Sequence, residues 1–209
     1  MMRGYGQYCG LARSLEIVGD RWNLLIVRQL LIGPARYRDL IGGLPGIATN
    51  LLADRLRDLE AAGVLERQLA GKGSAVEYAL TPWGAQLREP IESLIRWSAP
   101  LMTRGPQGDS FRPEWLALAL PALLDARVKI QAAATVGLEV GGAPFQLRAT
   151  RSGFEVGPQD GLDFDATVRA DPACVLGLAA GALALDDARA LGMIEIDGAE
   201  SVVRAVFGA

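Results

Sequence analysis

The residues whose types and spacing favour chemistry lie on one side of a short predicted helix, residues 49–62. Successive residues of an α-helix are rotated by about 100°, so the helix has two distinct sides. The leucines fall on one side, where they would dock the helix on its neighbours: Leu52, Leu56 and Leu59. The opposite side carries small or polar residues: Asn50, Ala53, Asp54 and Arg57.

This polar side has the chemistry needed to read base edges in a DNA major groove. An Asn amide pairs with adenine and an Arg guanidinium with guanine, and each good pair is worth roughly 1–3 kcal/mol. Asn50 and Arg57 supply these groups. Ala53 lets the helix lie close to the bases or lets a thymine methyl approach.

Cations that suit phosphate contacts lie on both sides of this helix in the sequence. Arg36 and Arg38 flank the start of the preceding helix, where they would position the protein without reading sequence. Lys72 and Ser74 lie in the turn GKGS between two predicted strands. The two glycines of that turn allow close approach to an anionic backbone. Helix, turn, helix and basic hairpin together predict a winged helix-turn-helix.

Each of these features also has a plain structural interpretation. A helix side with alternating Asn, Asp and Arg is usually just solvated, and GKGS is usually an ordinary turn. Arg55, beside the leucines, is expected to pair with a nearby carboxylate such as Glu60 or Asp39 rather than with DNA. The ordered combination of features, rather than any one of them, favours DNA binding.

Composition excludes several classes of enzyme and metal protein. The 209 residues contain no histidine and two cysteines, so zinc sites and Ser-His-Asp or Cys-His catalysis are not expected. No metal, cofactor or enzymatic activity is predicted. The start of the chain lacks the apolar core of a signal peptide. The apolar run Cys174–Leu185 is shorter than the roughly 20 residues of a membrane span, so a reduced cytoplasmic protein is expected.

The pattern of apolar residues, glycines and prolines predicts an α+β protein of two domains, residues 1–103 and 104–209. In the first, helices are expected over 11–18, 21–31, 37–41 and 49–62, strands over 64–69 and 75–80, and a long helix from TPWG to Met102. The second is expected to open with a helix bent at Pro121. A meander of short strands, two short helices, the strand MIEID and a last helix follow.

The two halves differ in charge. Residues 1–100 carry 12 Lys and Arg against 10 Asp and Glu, whereas residues 101–209 carry 9 against 14. The first half is therefore the better candidate for a polyanion partner.

Residues 8–87 strongly resemble the HxlR-type winged-helix transcriptional regulators. The segments that carry the resemblance are Cys9 ahead of the first helix, GDRW, LLIVRQLL, ARYRDL, LPGI, LLADRLRDLE, GVLER and VEYALTPWG. The resemblance implies a homodimer that binds operator DNA, with residues 9–18 and 85–102 at the dimer interface. It also implies two recognition helices that meet half-sites about one DNA turn apart.

Two departures from the family pattern bear on DNA binding. Ala48 stands where the family has a helix-capping serine, so Thr49 is expected to take the cap and to be less free for bases. From Arg28 to Lys72 there are seven cations against five anions, which predicts weak non-specific affinity.

Cys9 occupies the position that some HxlR members use as a thiol sensor. A helix start with Arg13 one turn on would favour the thiolate. The alternative is that Cys9 is a small packed residue at the dimer seam.

Beyond residue 104 the sequence is similar to sterol-carrier-protein-type lipid-binding domains. The similarity rests on DATVRAD, a G-x-L step, the segment ARALGMIEIDG and the final helix after DGAES. It implies helices over a curved sheet with an apolar tunnel. The residues expected to bind a hydrophobic or lipid-like ligand are Trp115, Leu118, Leu123, Val175, Leu176, Leu178 and Leu183. The alternative is a dry, fully packed core.

The sequence thus predicts a ligand-responsive bacterial transcriptional regulator, with repression favoured over activation. The second domain would sense a hydrophobic small molecule or brace the dimer. A carrier of an apolar metabolite, whose winged helix contacts another protein, is the alternative.

Overall fold

The computed structural model describes residues 4–70, 75–102, 105–161 and 163–208. The chain divides into two compact units, residues 1–91 and 92–209. The sequence placed the boundary at 103/104, and both of these residues lie outside the described part. The observed boundary lies earlier than the predicted one because of the helix that ends at Met102. Its residues Ile95 and Ala99 pack against the core of the second unit.

In the first unit, short helices precede a two-stranded hairpin. The elements are α1 (Gly10–Val18), α2 (Asn23–Ile32), α3 (Tyr37–Gly43), α4 (Thr49–Ala61), β1 (Leu65–Leu69), β2 (Val76–Leu80), α5 (Pro82–Ala85) and the start of α6 (Arg88–Met102). Strands β1 and β2 pair antiparallel, with Leu65 opposite Leu80 and Leu69 opposite Val76. Gly63 follows α4 with a φ of 75°, the left-handed conformation that glycine adopts after a helix.

The predicted long helix from TPWG to Met102 is wrong, because the structure has two helices there, α5 and α6. Pro90 supplies the physical reason. A continuous helix would need an N–H at Pro90 and would press the proline ring against the carbonyl of Gln86. A new helix instead begins at Arg88, so that Pro90 lies in its first turn, where the missing N–H costs nothing.

The second unit is a five-stranded sheet with helices packed on it. After a 3₁₀ turn at Pro113–Trp115 come α7 (Leu116–Leu124), β3 (Ala134–Val140), β4 (Ala143–Thr150), β5 (Gly153–Gly157), β6 (Ala166–Ala170), α8 (Pro172–Ala180), α9 (Leu185–Ala190), β7 (Ile194–Gly198) and α10 (Glu200–Phe207). The strand order is β5-β4-β3-β6-β7.

The expected meander is right only for β3, β4 and β5. Strand β6 instead pairs parallel with β3, with Leu138 opposite Val168. The connection that makes this pairing passes over Gly137, where an added Cβ would lie 2.7 Å from the Phe164 ring. Glycine at this position therefore lets the ring pack directly on the backbone of β3.

The core of the second unit lies between one face of this sheet and the helices α7 and α8. Helix α7 buries Leu116, Leu120 and Leu124, and α8 buries most of its length. The cluster also contains Val136, Leu138 and Val168 of the strands, and Val203, Val206 and Phe207 of α10. Pro121 lies within α7 and is itself buried.

Candidate nucleic-acid interface

Helix α4 is oriented in the structure as its sequence pattern predicts. Leu52, Leu56 and Leu59 are buried. Asn50, Asp54 and Arg57 are exposed, and Ala53 is half-buried. A helix held by its leucines thus presents a narrow, mostly polar edge to solvent, here named the α4 edge: Thr49, Asn50, Ala53, Asp54 and Arg57.

The ends of α4 are held in place by hydrogen bonds from other elements. The Tyr37 hydroxyl donates to the backbone carbonyl of Thr49 at 2.6 Å, which joins α3 to the first turn of α4. At the other end, the Arg67 guanidinium donates to both oxygens of Glu60, at 2.9 and 2.8 Å. These contacts fix the direction of the α4 edge relative to the hairpin.

Arg55 pairs with carboxylates, as expected, but not with the predicted ones. Its Nη1 lies 2.5 Å from Asp20 and 3.0 Å from Asp58. The predicted partners are engaged elsewhere, because Glu60 binds Arg67 and Asp39 lies 3.6 Å from Arg38. Arg55 therefore ties α4 to the segment between α1 and α2 and does not belong to the exposed edge.

On the α4 edge itself, two of the predicted base-reading residues contact each other. The Arg57 Nη2 donates to Asp54 Oδ1 at 2.7 Å, across one helical turn, and both side chains are exposed. Any base contact by Arg57 must therefore be made beside, or in exchange for, the Asp54 carboxylate.

The expectation that Thr49 caps α4 is wrong. Ala48 holds the N-cap position, and no side chain accepts a hydrogen bond there. Thr49 already has helical backbone geometry, and its hydroxyl donates to Asn50 Oδ1 at 3.3 Å. Thr49 is thus exposed on the α4 edge, where it orients the Asn50 amide.

Arg36 and Arg38 lie at the start of α3 with exposed side chains. Arg36 makes no ion pair with any other residue that the structure describes. The adjacent Ala35 exchanges backbone hydrogen bonds with Tyr78 of β2, at 3.0 and 2.8 Å, which fixes the start of α3 to the hairpin. The sequence pattern gives no signal of this bridge, because it is formed by backbone atoms.

Lys72 and Ser74 of the predicted hairpin tip lie outside the described residues. The strands next to the tip are described, and Ala70 donates its backbone N–H to Ala75 at 2.8 Å. The roles predicted for Lys72 and Ser74 stay predictions.

Comparison with known proteins shows which family the first half of the chain resembles. Residues 17–105 match the model of the HxlR-like helix-turn-helix family. The regulator YkvN of Bacillus subtilis is 32% identical over 90 residues, which span 43% of this chain and 76% of YkvN. The chain belongs to the HxlR-like helix-turn-helix family.

A second relative supports the same assignment. The HTH-type transcriptional regulator YodB of B. subtilis is 33% identical over 86 residues, which span 41% of this chain and 77% of YodB. The match to a quinone-bound structure of YodB spans 43% of this chain and 96% of the YodB chain, at 30% identity and a TM-score of 0.38. The family match ends at residue 105, before the strands of the second unit begin.

Cys9 lies immediately before α1 of the first unit and is exposed. Hydrogen bonds from the backbone N–H groups of Ala12 and Leu11 lower the pKa of the Cys9 thiol below its ordinary value. The sequence predicted two causes, the helix start and Arg13, but the Arg13 guanidinium instead pairs with Glu16 at 3.1 Å. The start of the helix, rather than a cation, therefore favours the thiolate.

Of the seven residues predicted to bind a ligand, all in the second unit, five are buried and two are half-buried. Those that are buried are Leu118, Leu123, Val175, Leu176 and Leu178. Trp115 is half-buried, and its ring lies edge-on to that of Phe111 with 6.5 Å between the ring centroids. Leu183 packs against the core. None of the seven lines the cleft of about 340 Å³ that opens in this unit between residues 128–134 and α10. Their ligand-binding role stays a prediction.

Residues 4–70, 75–102, 105–161 and 163–208 contain no group of three His, Cys, Asp or Glu side chains placed to hold a metal ion. Within the same ranges, no helix combines the length and the apolar character that crossing a membrane requires.

Proposed function

We propose that this protein is a DNA-binding transcriptional regulator in which α4 enters the major groove of an operator. The α4 edge is the observation that carries the proposal. It is a narrow set of exposed polar side chains, backed by three buried leucines and held at both ends by Tyr37 and Arg67. The similarity of this chain to YkvN and YodB, which are HTH-type transcriptional regulators, supports the same function.

Within this proposal the polar residues divide into two roles. Asn50 and Arg57 read base edges, with Ala53 and Thr49 at the contact and Asp54 beside Arg57. Arg36 and Arg38, with Lys72 and Ser74 at the hairpin tip, contact phosphates and set the register on the duplex. Because phosphate contacts are independent of sequence, these two sets have different experimental signatures.

We further propose that the protein binds DNA as a homodimer through α1 and α6. Each helix leaves large apolar side chains in solvent. Leu11 and Leu15 of α1 are 68% and 41% exposed, and Trp97 and Leu101 of α6 are 77% and 63% exposed. Exposed apolar side chains repeated along a helix are typical of an interaction surface, and a second copy of the chain would bury them.

The second unit is proposed to sense a hydrophobic small molecule or to brace the dimer. A ligand releases DNA only if it binds more tightly to a dimer whose two α4 helices no longer match the groove spacing. Repression is favoured, because a dimer that covers its operator blocks polymerase without any further contact.

The experiment is a competition gel shift with the DNA upstream of the protein's own gene. Arg57→Ala and Asn50→Ala are expected to change base preference, each costing about 1–3 kcal/mol at the preferred site. Arg36→Ala and Lys72→Ala are expected to weaken binding to all sequences alike and to reduce its dependence on salt. Arg169→Gln, on the second unit, serves as the control for a lost positive charge. If Arg57→Ala and Asn50→Ala leave both affinity and preference unchanged, α4 is not the reading element.

A further inference from the structure

The second unit contains a cleft whose shape and lining suit a small ligand. Its volume is about 340 Å³, near the lower end of the roughly 300–1,000 Å³ typical of ligand pockets. Buried apolar side chains line its inner part: Val128, Ala149, Phe154 and Val206. The alanines Ala134 and Ala205 line its sides and leave the space open because their side chains are short.

The polar groups of the cleft are exposed at its rim, and the charged ones are one cation and one carboxylate. Lys129 is the one cation among the described lining residues, it is exposed, and it forms no ion pair with any described residue. Ser201 lies in the first turn of α10, where the backbone N–H groups carry partial positive charge. Gln131 adds an uncharged amide.

The one lining carboxylate has a structural role. Asp165 Oδ2 accepts the backbone N–H of Thr135 at 2.8 Å, and the Asp165 backbone carbonyl accepts the N–H of Ala199 at 2.9 Å. Asp165 therefore joins the start of β3 to the start of α10. Lys129, in contrast, forms no hydrogen bond or ion pair with the residues that the structure describes.

We infer that this cleft binds a small aryl carboxylate, with the ring against Phe154 and the carboxylate at Lys129. A cleft of about 340 Å³ lies near the lower end of the range for ligand pockets, so it suits a small ligand. The short alanines leave a gap suited to a flat ring, and the small exposed part of Phe154 belongs to the lining of that gap. The inference deepens the effector part of the proposed function and depends on that proposal only for its regulatory meaning.

Calorimetric titration of the full chain with three probes that share one ring system tests the inference without any DNA. The probes are 2-naphthoate, the neutral 2-naphthamide and the cationic 2-naphthylmethylammonium. Naphthoate is expected to bind at least about fivefold more tightly than the amide, because a charge-assisted hydrogen bond is stronger than a neutral one. Equal binding of naphthoate and amide, tighter binding of the ammonium probe, or no binding of naphthoate would overturn the inference.

Matched variants locate the site. Ala205→Trp is expected to fill the cleft and abolish naphthoate binding, and Lys129→Gln to reduce naphthoate affinity to that of the amide. The controls make matched changes elsewhere in this unit. Ala190→Trp adds the same bulk on the exposed side of α9, and Arg169→Gln removes a positive charge from the sheet face that points away from the core. Both controls are expected to bind naphthoate as the unaltered protein does. Naphthoate binding that neither Ala205→Trp nor Lys129→Gln changes would place the ligand elsewhere and overturn the inference. Because no DNA is present, these results are independent of whether the protein proves to be a regulator.

Discussion

Arg57 and Asp54 are joined on the exposed edge of α4 by a 2.7 Å hydrogen bond across one helical turn. The contact holds the guanidinium in one orientation, and it also places a negative charge where phosphates would approach. The two effects act in opposite directions on DNA binding, so the role of Asp54 is open to a simple test.

Asp54→Asn is expected to raise affinity for DNA of any sequence and to lower discrimination. Affinity rises because a charge that repels phosphates is lost. Discrimination falls because Arg57 no longer has a fixed orientation for a bidentate contact, worth about 1–3 kcal/mol. The measurement is the ratio of affinities for a selected operator and a scrambled duplex at one salt concentration. Glu66→Gln removes an equal charge from β1 and is expected to leave that ratio unchanged. An unaltered ratio in Asp54→Asn would show that Asp54 does not position Arg57.

Tyr37→Phe is expected to destabilise the first unit by about 1 kcal/mol, because the hydrogen bond from the Tyr37 hydroxyl to the Thr49 carbonyl is lost. Operator affinity should fall as well, since that bond holds the first turn of α4 against α3. Chemical denaturation and a gel shift measure the two effects. Tyr8→Phe removes the same hydroxyl from a fully exposed ring and should change neither stability nor DNA binding. A normal operator affinity for Tyr37→Phe would mean that the bond does not position α4.

The sequence predicts local features of this fold well, and α4 shows why. Its leucine spacing depends only on helical periodicity, so the buried and exposed sides follow from the sequence alone. The break at Pro90 could also have been predicted, because the missing N–H is a property of that residue.

Contacts between distant segments could not be predicted in the same way. Arg55 has several carboxylates within reach in sequence, and only the packing of the preceding helices selects Asp20. The bridge between Ala35 and Tyr78 joins residues far apart in the chain through backbone atoms, which leave no side-chain signal. An apolar pattern likewise does not distinguish a side chain that only fills the core, such as Leu178, from one that fills the core and also lines a cleft, such as Phe154.

Gly84→Ala is expected to destabilise the base of the hairpin severely. A Cβ at this position would lie well inside van der Waals contact of the Val64 backbone carbonyl, which cannot move aside as a side chain could. Thr81 makes the site more rigid, because its hydroxyl donates to the Gly63 carbonyl at 2.7 Å and accepts the Gly84 N–H at 3.0 Å. The measurement is the denaturation midpoint of the first unit.

A second glycine provides the control for this variant. Gly42 lies in α3, and an added Cβ there meets nothing within 4 Å. Gly42→Ala is therefore expected to stabilise the unit by about 0.5–1 kcal/mol through the lower conformational entropy of the unfolded chain. Equal effects of the two substitutions would contradict the close packing of α5 on Val64.

The Cys9 thiol is expected to be alkylated by iodoacetamide at a lower pH than an ordinary cysteine. Only the thiolate reacts, and the backbone N–H groups of Ala12 and Leu11 lower the pKa of Cys9, so more thiolate is present at a given pH. Cys174 is the internal reference, since it is buried and burial raises the pKa of its thiol. Mass spectrometry of the two alkylated peptides across pH gives both profiles. Arg13→Gln should leave the pH profile of Cys9 alkylation unchanged, because the lowered pKa of Cys9 arises from the helix start. If the profile of this variant moves toward higher pH, the Arg13 guanidinium contributes to the lowered pKa.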